Sequence, residues 1–260
     1  MGNLQTATVR ATPVRLGPRA GRVVGAQLED AAAEEIIDWA VETYGPRLCL
    51  TTSFANTVLV HLATRRHPGL DVIFLDTGFH FAETLATMRE AFSRYQLNLT
   101  VVRPEAGAAE LWAAGSTTCC EARKVEPLDR AMTDGGFDAW LSGLRRADGP
   151  TRATATTLQT DRHGRTKINP LVRWTDDDVA AYADAHDLVV NPLVKQGYGS
   201  IGCWPCTEPA EGRDGRWAET TKTECGLHLP LESTTEPAEP PGEPATEPGA
   251  PRHDSVEAES

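Results

Sequence analysis

The residues best equipped for chemistry are six cysteines, and their spacing divides them. Cys119 and Cys120 are adjacent, Cys203 and Cys206 form a Cys-x-x-Cys pair, and Cys225 stands apart in Glu224-Cys225-Gly226-Leu227-His228. Two thiolate pairs can close a four-sulfur site around a metal ion or an iron–sulfur cluster. Residue types alone leave zinc and iron–sulfur equally open. A sulfur already ligated is a poor nucleophile, whereas an unligated thiol is free to attack. The pattern points to a cysteine enzyme built beside a sulfur-ligated centre. Cys49, flanked by Leu48 and Leu50, reads as core filling.

Cations gather near these motifs. Lys124, Arg145, Arg146, Arg152, Arg213 and Arg216 flank them in a chain of formal net charge −12. Arginine clusters bind phosphate and sulfate through charge-assisted, often bidentate hydrogen bonds. An acidic substrate with adjacent anionic groups fits them. Nearby cations or His228 would also raise the thiolate fraction of Cys225, whose ordinary pKa is about 8.5.

The elements that must position these groups alternate along the chain. Helices are predicted over Ala31–Thr43 (capped by Asp30), Thr57–Arg66 and Glu83–Tyr95. Strands are predicted over Arg47–Thr52, Asp71–Leu75, Leu99–Val102 and Phe137–Ser142. Strand–turn–helix succession predicts an α/β fold with an open, mostly parallel sheet and helices on both faces. Ligands in such sheets bind beyond the carboxyl ends of the strands. Ser53 and Asp76-Thr77-Gly78 fall there. Ser53 can present its hydroxyl and the following helix amides to an anion. No Gly-x-x-x-x-Gly-Lys-Ser/Thr phosphate loop is present. Ala55, Asn56 and Thr57 stand where an ATP pyrophosphatase loop would carry glycine and an acid, which argues against ATP cleavage.

Composition sets the outer bounds. The 260 residues, 40% hydrophobic, suffice for one sizeable core or two small ones. No apolar run reaches the roughly 18 residues that cross a bilayer. The first residues lack the apolar core of an export signal, so a reducing cytoplasm is the expected compartment. Residues 1–28 are expected to form a disordered leader. Residues 229–260, rich in proline and glutamate, are expected to be a disordered acidic tail. That tail carries −7 of the −12. The remaining −5 gives no basis for nucleic-acid binding.

From about Glu34 to His228 the chain resembles the assimilatory phosphosulfate reductases, in their iron–sulfur adenylyl-sulfate (APS) branch. The motifs are specific: Leu75-Asp76-Thr77-Gly78, Cys119-Cys120-x-x-Arg123-Lys124-Val125-x-Pro127-Leu128, Gly143-x-Arg145-Arg146, Asn169-Pro170-Leu171, Gly202-Cys203-x-Pro205-Cys206, Gly215-Arg216-Trp217 and Glu224-Cys225-Gly226-Leu227-His228. The resemblance implies one 4Fe–4S cluster per chain, held by Cys119, Cys120, Cys203 and Cys206. It implies an adenine nucleotide alpha-hydrolase-like, PP-loop-related fold over residues 29–228. It implies Cys225 as nucleophile on a mobile segment of about 208–228, attacking APS to give an S-sulfocysteine that thioredoxin reduces. Lys124, Arg213, Arg216 and His228 would hold the phosphosulfate, with help from Arg145 or Arg146 and from Ser53, Thr77 and Gly78 at the strand ends. A reductase for the 3′-phosphorylated substrate, or for both, is the alternative, and a non-catalytic iron–sulfur nucleotide sensor a further one. A homo-oligomer is compatible with all of these. The chain departs from the pattern at the Ser53 turn, at Glu208, where many relatives have arginine, and in its extension beyond His228.

Overall fold

The computed structural model describes residues 18–105, 115–218, 220 and 222–228. The expected acidic tail and the first part of the expected leader lie outside the described residues. Helix α1 (Pro18–Leu28) corrects the rest of that leader. Pro18 opens the helix, where a missing amide hydrogen costs nothing, and Leu28 packs on the core.

Six strands form one sheet: β1 (Leu48–Thr52), β2 (Asp71–Leu75), β3 (Asn98–Val102), β4 (Ala139–Leu141), β5 (Leu158–Thr160) and β6 (Thr166–Ile168). Their order is β3-β2-β1-β4-β6-β5. All pairings are parallel except the β5–β6 hairpin, which sequence patterning missed because each strand is three residues long.

The period-2 alternation of strands sorts side chains to two faces. Leu48, Leu50, Val72, Phe74 and Leu141 join the main core beneath α2 (Ala33–Tyr44), α3 (Val58–Arg66), α4 (Ala82–Tyr95) and α7 (Asp176–Ala185). Cys49, Ile73 and Trp140 face the other way, against Leu128 and Met132 of α6 (Glu126–Gly135). Cys49 is buried core, its Sγ 3.5 Å from the Met132 sulfur, and burial drives its thiol well above the ordinary range. Asp30 does not cap α2. The Glu35 carboxylate accepts from the Ala32 amide at 2.9 Å instead, and Asp30 pairs with Arg173 at 3.1 Å.

Helix α6 continues from α5 (Ser116–Cys120) through a π-helical turn, Glu121–Val125. Such insertions recur at functional sites because the extra residue re-aims the side chains around it. Here it carries Arg123 and Lys124, directly after the adjacent cysteines.

Candidate active site

The loop after β2 and the segment around Cys203 build one wall. His80 and Cys203 form an isolated antiparallel bridge, and the Trp204 amide donates to the Phe79 carbonyl at 2.8 Å. Thr77, fully buried, sets its hydroxyl 3.3 Å from the Cys203 sulfur. Gly78 adopts φ +75°, and a Cβ there would stand 3.2 Å from the Arg123 guanidinium. That guanidinium donates to the Thr77 carbonyl and lies 4.4 Å over the Phe79 ring. Its Nε and Nη2 are buried without a hydrogen-bond partner among the described residues.

The C-terminal segment builds the other wall. Cys225, 7% exposed, packs with Cys120 and Trp217, and Cys206 and Leu227 join that cluster. The Trp217 indole is ringed by cations, with Arg216 at 4.5 Å, Lys222 at 5.6 Å and Arg213 at 5.7 Å from its centre. Lys222 also donates to the Ser116 carbonyl at 3.0 Å, tying the segment to the start of α5. Gly226 runs so close to the π turn that a Cβ would meet Val125 at 2.9 Å.

Between the walls stands Lys124. Burial alone would depress its ammonium, but the sulfurs of Cys203, Cys225 and Cys120 outweigh that and hold it above its ordinary value. The effect is reciprocal at Cys203: burial pushes the thiol up, yet Lys124, the Thr77 hydroxyl and Arg216 bring it below the ordinary range. Burial, then Cys203 and Cys120, push Cys206 up to about 12. These couplings place Cys119, Cys120, Cys203 and Cys206 in one electrostatic neighbourhood. Among the described residues, however, no three Cys, His, Asp or Glu side chains converge closely enough to hold a single ion.

Glu224, next to the candidate nucleophile, is an unpredicted member of the site. Its carboxylate accepts from Arg152 Nε at 2.8 Å and Nη2 at 3.0 Å, from Arg213 at 3.0 Å and from the Cys225 amide at 3.1 Å. Burial opposes its ionisation, but Arg152 and Arg213 hold the carboxyl below the usual carboxylate range. Lys167 of β6 is a second, its Nζ 3.1 Å from Nδ1 of His228. The sequence signal for it was a lysine inside the short strand Thr166-Lys167-Ile168, where burial makes lysine rare.

Not every predicted residue joins. Arg146 is engaged elsewhere, by Glu29 and by the Ala155 carbonyl at 2.7 Å. Arg145 pairs with Asp148 and Asp176 but keeps a buried Nη1 without a hydrogen-bond partner among the described residues. Ser53 is exposed at the end of β1; the neighbouring turn is closed by Thr52, which accepts from the Phe54 amide at 3.1 Å.

One prediction arises directly. A Cβ on Gly202 would stand 2.3 Å from Arg216 Nη2. Gly202→Ala is expected to leave the fold intact, since the guanidinium can swing away, but to displace it from Ser200, where it donates at 3.3 Å. With Arg216 expected to hold an anionic substrate, displacing its guanidinium should raise KM about tenfold with a smaller change in kcat. Steady-state kinetics alongside thermal melting would check this.

The geometry sets a buried thiol, Cys225, against a ring that gathers three cations, with four other thiols in the same neighbourhood. Residues 47–209 match the family model described as the phosphoadenosine phosphosulfate reductase domain. A protein of Rhodococcus opacus described as adenosine 5'-phosphosulfate reductase is 45% identical, over 78% of this chain and 91% of its own length. One of Streptomyces coelicolor with the same description is 42% identical, over 82% and 93%. Among solved structures, phosphoadenylyl-sulfate reductase from Candida auris superposes with TM-score 0.68 at 28% identity, covering 76% of this chain and all of the other. An FMN adenylyltransferase from Candida glabrata, 14% identical with TM-score 0.55 over 78% of this chain and 70% of its own, shares the fold.

Proposed function

The chain belongs to the phosphoadenosine phosphosulfate reductase family, and from that premise we propose that it reduces APS to sulfite and AMP through Cys225, with thioredoxin as the reductant. The observation that carries this reading is the packing of Cys225 on Trp217, whose ring has Arg216, Lys222 and Arg213 at 4.5, 5.6 and 5.7 Å, with Lys124 within electrostatic reach of the Cys203, Cys225 and Cys120 sulfurs. A nucleophile held against such a cation patch needs an anionic electrophile.

The steps balance without an outside oxidant. The Cys225 thiolate attacks the sulfuryl sulfur, an S–S bond forms, the S–O bond to phosphate breaks, and AMP leaves with the electron pair. Lys124, Arg216 and Lys222 face the developing charge. A thioredoxin thiolate then attacks the Cys225 sulfur, sulfite departs with the pair of the S–S bond, and thioredoxin's second thiol resolves the mixed disulfide. Cys225 must leave its buried position for that second attack, so the segment from about 208 to 228 has to undock.

The donor set suits a 4Fe–4S cluster on Cys119, Cys120, Cys203 and Cys206. The four thiols are electrostatically coupled. Arg123, electrostatically coupled to Cys119, keeps two buried nitrogens without a hydrogen-bond partner among the described residues, a need that a cluster's negative charge would meet. When bound, the cluster supplies compact negative charge that holds Arg123, Lys124 and Arg216 in place, while both electrons come from thiols.

Anaerobic purification should give a brown protein with four irons per chain. Incubation with APS alone should add the mass of one SO3 group at Cys225, and thioredoxin should release it as sulfite. A protein without iron, or without the adduct, overturns the proposal. Parallel rates with the 3′-phosphorylated substrate measure the preference between the two.

A further inference from the structure

Lys167 sits in the middle of a sheet, where an unpaired ammonium is costly. Cross-strand register puts Cys49, Trp140, Lys167 and Gln159 in one row on the face that receives the C-terminal segment. Lys167 is 4% exposed. Its Nζ lies 5.4 Å from the centre of the Trp140 ring and 3.1 Å from Nδ1 of His228. The imidazole in turn lies 6.5 Å from Trp140, tilted by 31°. The His228 amide donates to the Cys225 carbonyl at 3.1 Å, so the ring is tied to the nucleophile by one short turn.

We propose that Lys167 is a positioning residue for the reaction: its ammonium donates to Nδ1 of His228, fixing the neutral ring as the Nε2–H tautomer and pinning the turn that carries Cys225. An ammonium has donors and no acceptor, so Nδ1 must accept, and the single proton of a neutral imidazole then sits on Nε2. Burial, and after it Lys167, Arg152, Arg213 and Lys124, keep His228 neutral by holding it well below its ordinary range. A neutral ring that can only donate from Nε2 suits an oxygen of a phosphosulfate and cannot take a proton from it at that nitrogen. The inference deepens the proposed function and rests on it.

The arrangement has a built-in alkaline limit. Burial, then Arg152, lower Lys167 to about 8, against the opposing pull of Cys225, Glu224 and Asp161. Asp129 of α6, with Asp161, Arg162, His163 and Arg165 of the β5–β6 turn, completes the charged rim of the adjoining cavity of about 350 Å³. Once Lys167 loses its proton, it no longer dictates which nitrogen of His228 carries one.

The test uses the holoenzyme and reads the rate of SO3 adduct formation on Cys225 with APS, against pH. The wild type should lose rate above a pH of about 8. Lys167→Met should react about ten- to a hundredfold more slowly, the usual cost of removing a group that orients a histidine, and should lack that limb. Lys167→Arg, which keeps a charged donor, should recover rate and move the limb upward. Nitrogen NMR of labelled histidine, assigned with His228→Asn, should show Nε2–H in the wild type and a tautomer mixture in Lys167→Met. A wild-type ring protonated on Nδ1 overturns the proposal even if no variant folds. So does Lys167→Met with an unchanged pH profile. Absence of the adduct in the wild type would instead sink the Cys225 reading.

Discussion

Cys225→Ser is expected to end sulfite release while leaving iron content and the absorption of the brown protein unchanged. The loss should be on the order of a million-fold, the scale of deleting a covalent nucleophile. Serine is nearly isosteric, so Trp217, Cys120 and Leu227 still close around it. Its hydroxyl is a far weaker nucleophile than a thiolate. The measurement is double: sulfite release, and iron per chain after anaerobic purification. Loss of activity with iron retained separates the nucleophile from the four candidate ligands. Iron lost together with activity would mean that Cys225 belongs to the donor set, and the division of labour among the cysteines would fail.

Arg152→Ala should be the most damaging change outside the cysteines. Arg152, 9% exposed, bridges Glu224 and Asp148 and so fastens the nucleophile's segment to the turn beyond β4. Removing it leaves Glu224 buried with Arg213 as its one remaining ion-pair partner among the described residues. Breaking a buried pair from one side costs about 3–5 kcal/mol. Limited proteolysis should therefore cut near Cys225 in the variant and not in the wild type. The pH dependence follows from sign. Glu224 has a depressed folded value, so its contribution is present above its unfolded value of about 4.3 and is lost as pH falls through the lower folded one. In the variant, burial raises Glu224 with less to oppose it. Acid undocking should therefore begin at a higher pH, seen as protease sensitivity across a pH series. Equal protection of both proteins at all pH values would show that the pair does not hold the segment.

Much of the fold was legible locally. The continuous apolar run Val72–Leu75 and the amphipathic spacing of Ile36, Ile37 and Ala40 each carry enough periodic signal to set an element. The short hairpin β5–β6 carries too little. Helix α1 was missed because its glycines and arginines hide a stability that comes from Leu28 meeting the core. Among candidate site residues, the cysteines stood out by type and spacing, and Lys124 by the family motif that contains it. Arg152 was noticed only as one cation among several, and Arg146 looked equal to it. Which one reaches Glu224 depends on a loop path that residue types do not encode.

The order of residues by itself determined the division of sulfur, two pairs and one apart, because thiol chemistry depends on residue identity and short spacing. It also determined the strand–helix alternation, because side-chain period is a local property. Only the tertiary structure decided that Lys167, more than fifty residues before His228, lies beneath it. The same holds for Glu224, which answers Arg152 across the domain. Sheet register and the return path of the C-terminal segment set those meetings, and they depend on how distant surfaces pack together, a property that no short stretch of chain contains.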